Sequence, residues 1–186
     1  MLQNFIVIEG NIGSGKTSLC KKIAKDINAN VVLEEFEENP FLTDFLADQK
    51  VNPLGVELQF LIDRFHQLKK PFENNKPTVA DYFIEKSLIF SSNNLSKIEK
   101  NLFDSYYTVL FEKIRKPDLL VYLSVNSNRL LGNIKKRGRV IEEKLSPQYL
   151  DSIHNSYLNY LKNRDEEKVL ILEVSDIDFV NNESDY

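Results

Sequence analysis

Residues 5–17 read Phe-Ile-Val-Ile-Glu-Gly-Asn-Ile-Gly-Ser-Gly-Lys-Thr. Four apolar residues of strand type lead through Glu9 into a turn that holds three of the chain's six glycines. Leu19, Ile23 and Ile27 then follow at the four-residue spacing of a helix face. Gly10 to Thr17 satisfies the phosphate-loop pattern of Gly, four residues, Gly-Lys, then Ser or Thr. Gly10, Gly13 and Gly15 free the backbone to turn its amides, with those of Asn11, Ile12 and Ser14, towards phosphate oxygens. The helix that follows presents its positive end to the same anion. Lys16 is expected at the terminal phosphates and the Thr17 hydroxyl at a Mg²⁺ ion. The strand before the loop and the helix after it are the context this motif requires, so nucleotide binding is the expectation.

Working outward, short apolar runs recur at Val31–Leu33, Thr78–Ala80, Leu119–Leu123 and Val169–Leu172, separated by helical stretches. Helices are predicted from Phe41, over 53–70, 83–95 and 97–115, from about 127, and from Pro147. Strands alternating with longer helices predict an α/β fold, a five-stranded parallel sheet flanked by helices. Ligands of such sheets bind at the carboxyl ends of the strands, which selects Gly10–Thr17, Glu34 and Asp81. One domain is expected over 1–186, with an acidic tail over 175–186 that frays.

The composition removes other classes. The chain has 186 residues, 42% of them hydrophobic and 28% charged, which is ordinary for a globular domain. Cys20 is the single cysteine, so neither an internal disulfide nor a multi-thiolate zinc site is possible. His66 and His154 have no ligand spacing. A net charge of −4 with no long basic run gives no footprint for nucleic acid. No apolar run approaches a membrane span, and residues 1–8 lack a basic leader or cleavage pattern, so a cytoplasmic protein is expected.

The phosphate loop does not choose a reaction. The guanine-reading Asn-Lys-x-Asp of switch GTPases is absent, and the strand Leu119–Leu123 ends in Ser124 rather than the Asp of most ATPases. Two other strands end in carboxylates, Glu34/Glu35 and Asp81. A small-molecule kinase needs a carboxylate to accept the proton of the attacking hydroxyl. With Glu37 and Glu38 nearby, spacing alone leaves a solvated acidic loop equally open. Along the helix 53–70, at 100° per residue, Glu57, Leu61, Arg64 and Leu68 share one line, while Gln59, Asp63, His66 and Lys70 lie opposite. Polar residues within an apolar stripe need a ligand or a partner. A structural ion pair of Arg64 with another carboxylate satisfies that requirement too.

The order of further motifs resembles the deoxyribonucleoside kinases, particularly the bacterial deoxyadenosine/deoxyguanosine kinase group. The resemblance covers most of 4–164. It rests on 9–17, on Leu-Glu-Glu-Phe-Glu-Glu-Asn-Pro-Phe-Leu (33–42), Phe-Leu-Ile-Asp-Arg-Phe (60–65), Ser-Leu-Ile-Phe (87–90) and Lys-Lys-Arg-Gly-Arg-Val-Ile-Glu-Glu (135–143). It implies a P-loop kinase fold with a short lid at about 136–146, ATP as phosphate donor, Mg²⁺, a deoxynucleoside acceptor and a homodimer formed through residues within 83–115.

Residue by residue, the resemblance implies Glu34 as the base on the 5′-hydroxyl, with Glu35 standing where the family has proline. Asp81 matches the acid of an acidic-Arg-Ser motif that helps hold Mg²⁺, but Tyr82 and Phe83 replace its Arg and Ser. A catalytic cation is therefore missing; the competing register Glu85-Lys86-Ser87 is set aside because Asp81 stands where the strand ends. Glu57, seven residues before Arg64, takes the base-reading position where many relatives carry Gln. Ionised Glu only accepts hydrogen bonds, which favours guanine over adenine. Phe90 is placed to stack on the base, or is simply core. Arg137 and Arg139 match the lid arginines, with Gly138 as hinge, and Glu142 the carboxylate at the sugar 3′-hydroxyl. That carboxylate's usual tyrosine partner falls near Leu46. The expected activity is transfer of the ATP γ-phosphoryl group to a deoxynucleoside 5′-hydroxyl, with deoxyguanosine slightly ahead of deoxyadenosine. The alternatives are a thymidylate-type monophosphate kinase and a nucleotide-binding protein that has lost catalysis.

Overall fold

Five strands form the sheet of the described residues: β1 Phe5–Gly10, β2 Asn30–Val32, β3 Thr78–Ala80, β4 Leu119–Ser124 and β5 Val169–Glu173. The computed structural model describes residues 4–36, 38–69, 76–111, 114–162 and 168–186. All strand pairs are parallel, in the order β2-β3-β1-β4-β5. The order reverses at β1, which has β3 on one side and β4 on the other. This is the switch point at which such sheets open a crevice beyond their carboxyl ends. Phe5, Val7, Ile8, Val79, Ala80 and Leu120–Leu123 are buried, as apolar runs covered by helices on both faces should be.

The helices are α1 Lys16–Asp26, α2 Leu42–Ala47, α3 Pro53–Lys69, α4 Lys86–Asn94, α5 Lys97–Phe111, α6 Ser127–Arg137 and α7 Pro147–Lys162. Glu9 and Gly10 extend β1 beyond its apolar run because they still pair with Tyr122 and Leu123 of β4. β2 starts one residue early, at Asn30, which pairs with Thr78. The helix predicted over 83–95 begins only at Lys86, since Asp81–Glu85 form a buried turn beyond β3. Phe41 precedes α2 rather than forming part of it. Glu37, Lys70 and residues 112–113, which the sequence reading placed near the acidic loop and within helices, lie outside the described residues.

Two termini shape the site. Gly15 caps α1 at φ 89°, and Gly138 ends α6 at φ 69° in the left-handed conformation that glycine adopts without penalty. The acidic tail does not fray as expected. Phe179 is buried, its carbonyl accepts from Lys22 Nζ at 3.1 Å, and Tyr186 donates to Asp26 at 2.5 Å. One apolar anchor and two polar ties hold the tail against α1. Among the described residues, no helix is long and apolar enough to cross a membrane.

Candidate active site

A cavity of about 260 Å³ opens beyond β1, β2 and β3, and residues from all three strand ends line it. From the loop after β1 come Ile12, Lys16 and Thr17. The loop's geometry has steric causes. A Cβ on Gly13, at φ +83°, would stand 2.9 Å from the carbonyl oxygen of Leu130, and one on Gly10 would stand 2.5 Å from Ser14 Oγ. Asn11 is occupied structurally, its Nδ2 donating to the Leu150 carbonyl at 2.7 Å and its Oδ1 accepting from the Ile12 amide at 2.8 Å. Ser14 Oγ is buried with no hydrogen-bond partner. Burial, and next the charge of Lys86, push the Lys16 ammonium below its ordinary pKa. An anion in the loop would relieve both effects.

Asp81, buried at the end of β3, ties two elements together. One oxygen accepts from the Thr17 hydroxyl, and the other accepts from the Glu34 amide at 2.8 Å. Among the described residues no cluster of three or more His, Cys, Asp or Glu could hold a metal. One carboxylate beside one hydroxyl, both hard oxygen donors at the phosphate loop, nevertheless suits Mg²⁺, which takes few protein ligands and fills its shell with phosphate and water.

Glu34 leaves β2 and enters a cage of cations. Arg64 donates through Nε and Nη2 to Oε1 at 2.9 and 2.6 Å, and Lys86 Nζ donates to Oε2 at 2.6 Å. Burial pushes the Glu34 carboxyl up, but Lys86, Arg64 and Lys16 outweigh it and hold it well below the usual carboxylate range. Arg64 is fixed on its other side by Ser87 Oγ at 2.7 Å. The pair that sequence placed within one helix face thus divides: Arg64 serves Glu34, while Glu57 faces the cavity farther along. Tyr82, which follows Asp81, turns away and donates to Gln67 at 2.7 Å. Gln59, on the opposite face of α3, donates to Asp63 at 2.9 Å and does not line the cavity.

At the far end of the cavity Glu57 is 1% exposed. Its Oε1 accepts from Asn94 Nδ2 at 2.7 Å, while Oε2 has no hydrogen-bond partner. Burial, only partly offset by Asn94, pushes its pKa up to about 7. This corrects the premise that Glu57 is simply ionised. Near neutrality both forms are present, and the protonated acid donates as well as accepts, as Gln does. Phe90 also lines the cavity, edge-on to Tyr157 at 6.2 Å, so it has a core contact and an open side at once.

Arg137 and Arg139, the arginines expected in a lid, turn toward Glu142. Arg137 is hydrogen-bonded to Glu142, and Arg139 lies 3.5 Å from the same carboxylate and 4.2 Å over the Phe36 ring. All three charged side chains line the cavity, as does Leu46 where the family's tyrosine would stand.

Reasoning from sequence missed three residues. Lys86 was visible only inside a rejected register. Asn94 carries no signal at a helix end. Tyr149, which lines the cavity and is hydrogen-bonded to Asn94, reads as an ordinary apolar-face residue of α7.

The arrangement is a phosphate loop facing a caged carboxylate, with a half-polar chamber behind it. A family model for deoxynucleoside kinase matches residues 6–186. The deoxyguanosine kinase of Bacillus subtilis is 33% identical over 190 residues, covering 98% of this chain and 92% of that protein. The deoxyadenosine/deoxycytidine kinase of the same organism is 32% identical, covering 97% and 87%. The solved structure of deoxyadenosine kinase from M. mycoides with bound dATP superposes with a TM-score of 0.80 at 24% identity, covering 91% of this chain and 90% of that one. The strand order, the loop and the extent of the match agree, and the chain belongs to the deoxynucleoside kinase family.

Proposed function

We propose that this kinase transfers the γ-phosphoryl group of cytoplasmic ATP to the 5′-hydroxyl of a purine deoxynucleoside, a salvage reaction because the acceptor is a preformed nucleoside. The observation that carries the choice of base is Glu57, buried at the chamber's end with one carboxylate oxygen lacking a partner. Ionised, it accepts from the adjacent N–H groups of guanine. Protonated, it accepts from the adenine amine and donates to a ring nitrogen. Deoxyguanosine is preferred where the ionised form prevails, and deoxyadenosine gains as the pH falls.

In this reading Lys16 and the loop amides hold the donor phosphates. Thr17 and Asp81 would hold Mg²⁺, which when bound neutralises phosphate charge. Glu34 orients the 5′-hydroxyl and receives its proton, and Phe90 stacks against the base. Glu142 takes the 3′-hydroxyl as Arg137 and Arg139 leave it for the phosphoryl group, with Gly138 letting the lid close. The protein acts as a homodimer through α5. There Ile98, Leu102, Tyr106 and Val109 recur on one face and are 83%, 47%, 52% and 81% exposed, an apolar stripe that a second copy would cover. The test is turnover with ATP and Mg²⁺ on a panel of deoxynucleosides, ribonucleosides and monophosphates. Conversion of monophosphates alone would refute it. The dimer is tested separately, by light scattering of wild type and Val109→Glu.

A further inference from the structure

The acidic-Arg-Ser motif lacks its arginine in this chain, and Tyr82 at that position points to Gln67, away from the chemistry. Four residues later, the first residue of α4 brings a cation against Glu34 in the cavity wall. We propose that Lys86 is a catalytic residue: its ammonium holds the 5′-oxygen and the transferring phosphoryl group beside Glu34. The proposal rests on the reading of Glu34 as proton acceptor.

Lys86 is 4% exposed and lines the cavity between Glu34 and the phosphate loop. One of its three N–H donors goes to Glu34 Oε2, at 2.6 Å. Its position is poor for stability. A cation in the first turn of a helix opposes the helix dipole, and burying an ammonium is costly. Nor does Glu34 need Lys86 as a structural partner, because Arg64 already binds it through two nitrogens. Two buried cations therefore contact one carboxylate in the wall where an anionic phosphoryl group must pass. Arg64 is also held by Ser87 and by the Phe60 ring 4.8 Å away, whereas Lys86, besides Glu34, meets the Phe90 ring at a longer 5.6 Å and sits on a flexible stem. Lys86 is the cation able to follow the moving group.

In the step, the 5′-oxygen attacks the γ-phosphorus and a new O–P bond forms. The bond from phosphorus to the β,γ-bridging oxygen breaks, and its electron pair leaves with ADP. The hydroxyl proton passes to Glu34. Lys86 keeps its own proton throughout. It meets charge that develops on the phosphoryl oxygens, an interaction strongest in the transition state.

Lys86→Met, Lys86→Gln and Lys86→Arg are compared with wild type on the best deoxynucleoside. Lys86→Met is expected to lower kcat by about 10²-fold or more while ATP binding stays close to wild type, and Lys86→Arg to recover most of the loss. A Lys86 that only pairs with Glu34 would move the pH profile but leave the plateau kcat near wild type, whereas a catalytic Lys86 moves both. Without Lys86 the largest charge holding Glu34 down is gone, so an acidic limb should enter kcat/KM at higher pH. A folded Lys86→Met whose kcat stays within about fivefold of wild type overturns the assignment. If that variant does not fold, Lys86→Gln keeps a hydrogen bond to Glu34 without the charge, and the same threshold applies. Failure of the Glu34 reading is distinct: Glu34→Gln would then stay active while Lys86→Met does not.

Discussion

Glu57→Gln should make the protein more stable, and by an amount that depends on pH. The new amide would keep the hydrogen bond accepted from Asn94 and put a neutral nitrogen in place of the unpartnered Oε2. Burial raises Glu57 from an ordinary 4.5 to about 7, so the folded chain holds this proton more tightly than the unfolded chain. Stability therefore falls as pH rises from the unfolded value through the folded one, and above both the full penalty is present. Two and a half pH units correspond to ~3 kcal/mol. At pH 8 nearly all of that weighs on wild type, whereas at pH 5 less than ~1 kcal/mol does. For a chain of this size ~1 kcal/mol moves Tm by roughly 2–4 °C, so the variant should melt roughly 6–12 °C higher at pH 8 and only slightly higher at pH 5. Urea unfolding and thermal melts at the two pH values, without nucleoside, measure the difference. An equal change at both pH values, or a loss at pH 8, would show that Glu57 is ionised at no cost and would remove the basis for its two-state reading of the base.

Other outcomes follow from the same structure. The ratio of kcat/KM for deoxyguanosine over deoxyadenosine should climb between about pH 6 and 8.5 in wild type, as Glu57 ionises, and stay flat in Glu57→Gln; a flat wild-type ratio would contradict the assignment. Glu34→Gln should lower kcat by roughly 10²–10⁴-fold with ATP affinity little changed, by calorimetry. Gly13→Ala should abolish ATP binding, because its new methyl meets the Leu130 carbonyl and the residue must keep φ +83°. Phe179→Ala should destabilise by ~3 kcal/mol in denaturant unfolding, since the tail loses its buried anchor.

The sheet was legible because its strands are buried on both faces and read as unbroken apolar runs, so Phe5–Ile8 and Leu119–Leu123 could hardly be anything else. Boundaries failed where pairing rather than composition sets them. Glu9 belongs to β1 only because Tyr122 stands opposite. Residues 83–85 look helical by pattern but belong to the turn that follows Asp81, which reaches both Thr17 and the Glu34 amide. The tail was misjudged because charge density suggested solvent, while a single Phe decides where it lies. In the site, residues at strand ends were found because topology places them. The helix-borne Lys86 and Asn94 were not, since a lone Lys or Asn reads as surface until the fold shows it buried.

The electrostatics of Glu34 bear on how such a carboxylate can act as a base at all. Held far below the usual range by Lys86, Arg64 and Lys16, it has little affinity for a proton in the resting site. The reaction asks for little. Phosphoryl transfer passes through a loose transition state in which the attacking oxygen gains its bond late, so the hydroxyl proton becomes acidic only as the O–P bond completes. Until then Glu34, in the proposed step, would serve chiefly by orientation, and a carboxylate that stays ionised at every physiological pH is always ready to accept that hydrogen bond. The cations that depress it are the ones a phosphoryl group would neutralise. Donor binding would therefore raise Glu34's proton affinity at the stage when, in the proposed step, a proton must be taken. A caged, weakly basic glutamate is thus suited to phosphoryl transfer, and the same cage would suit poorly a reaction that requires a proton to be removed before the nucleophile attacks.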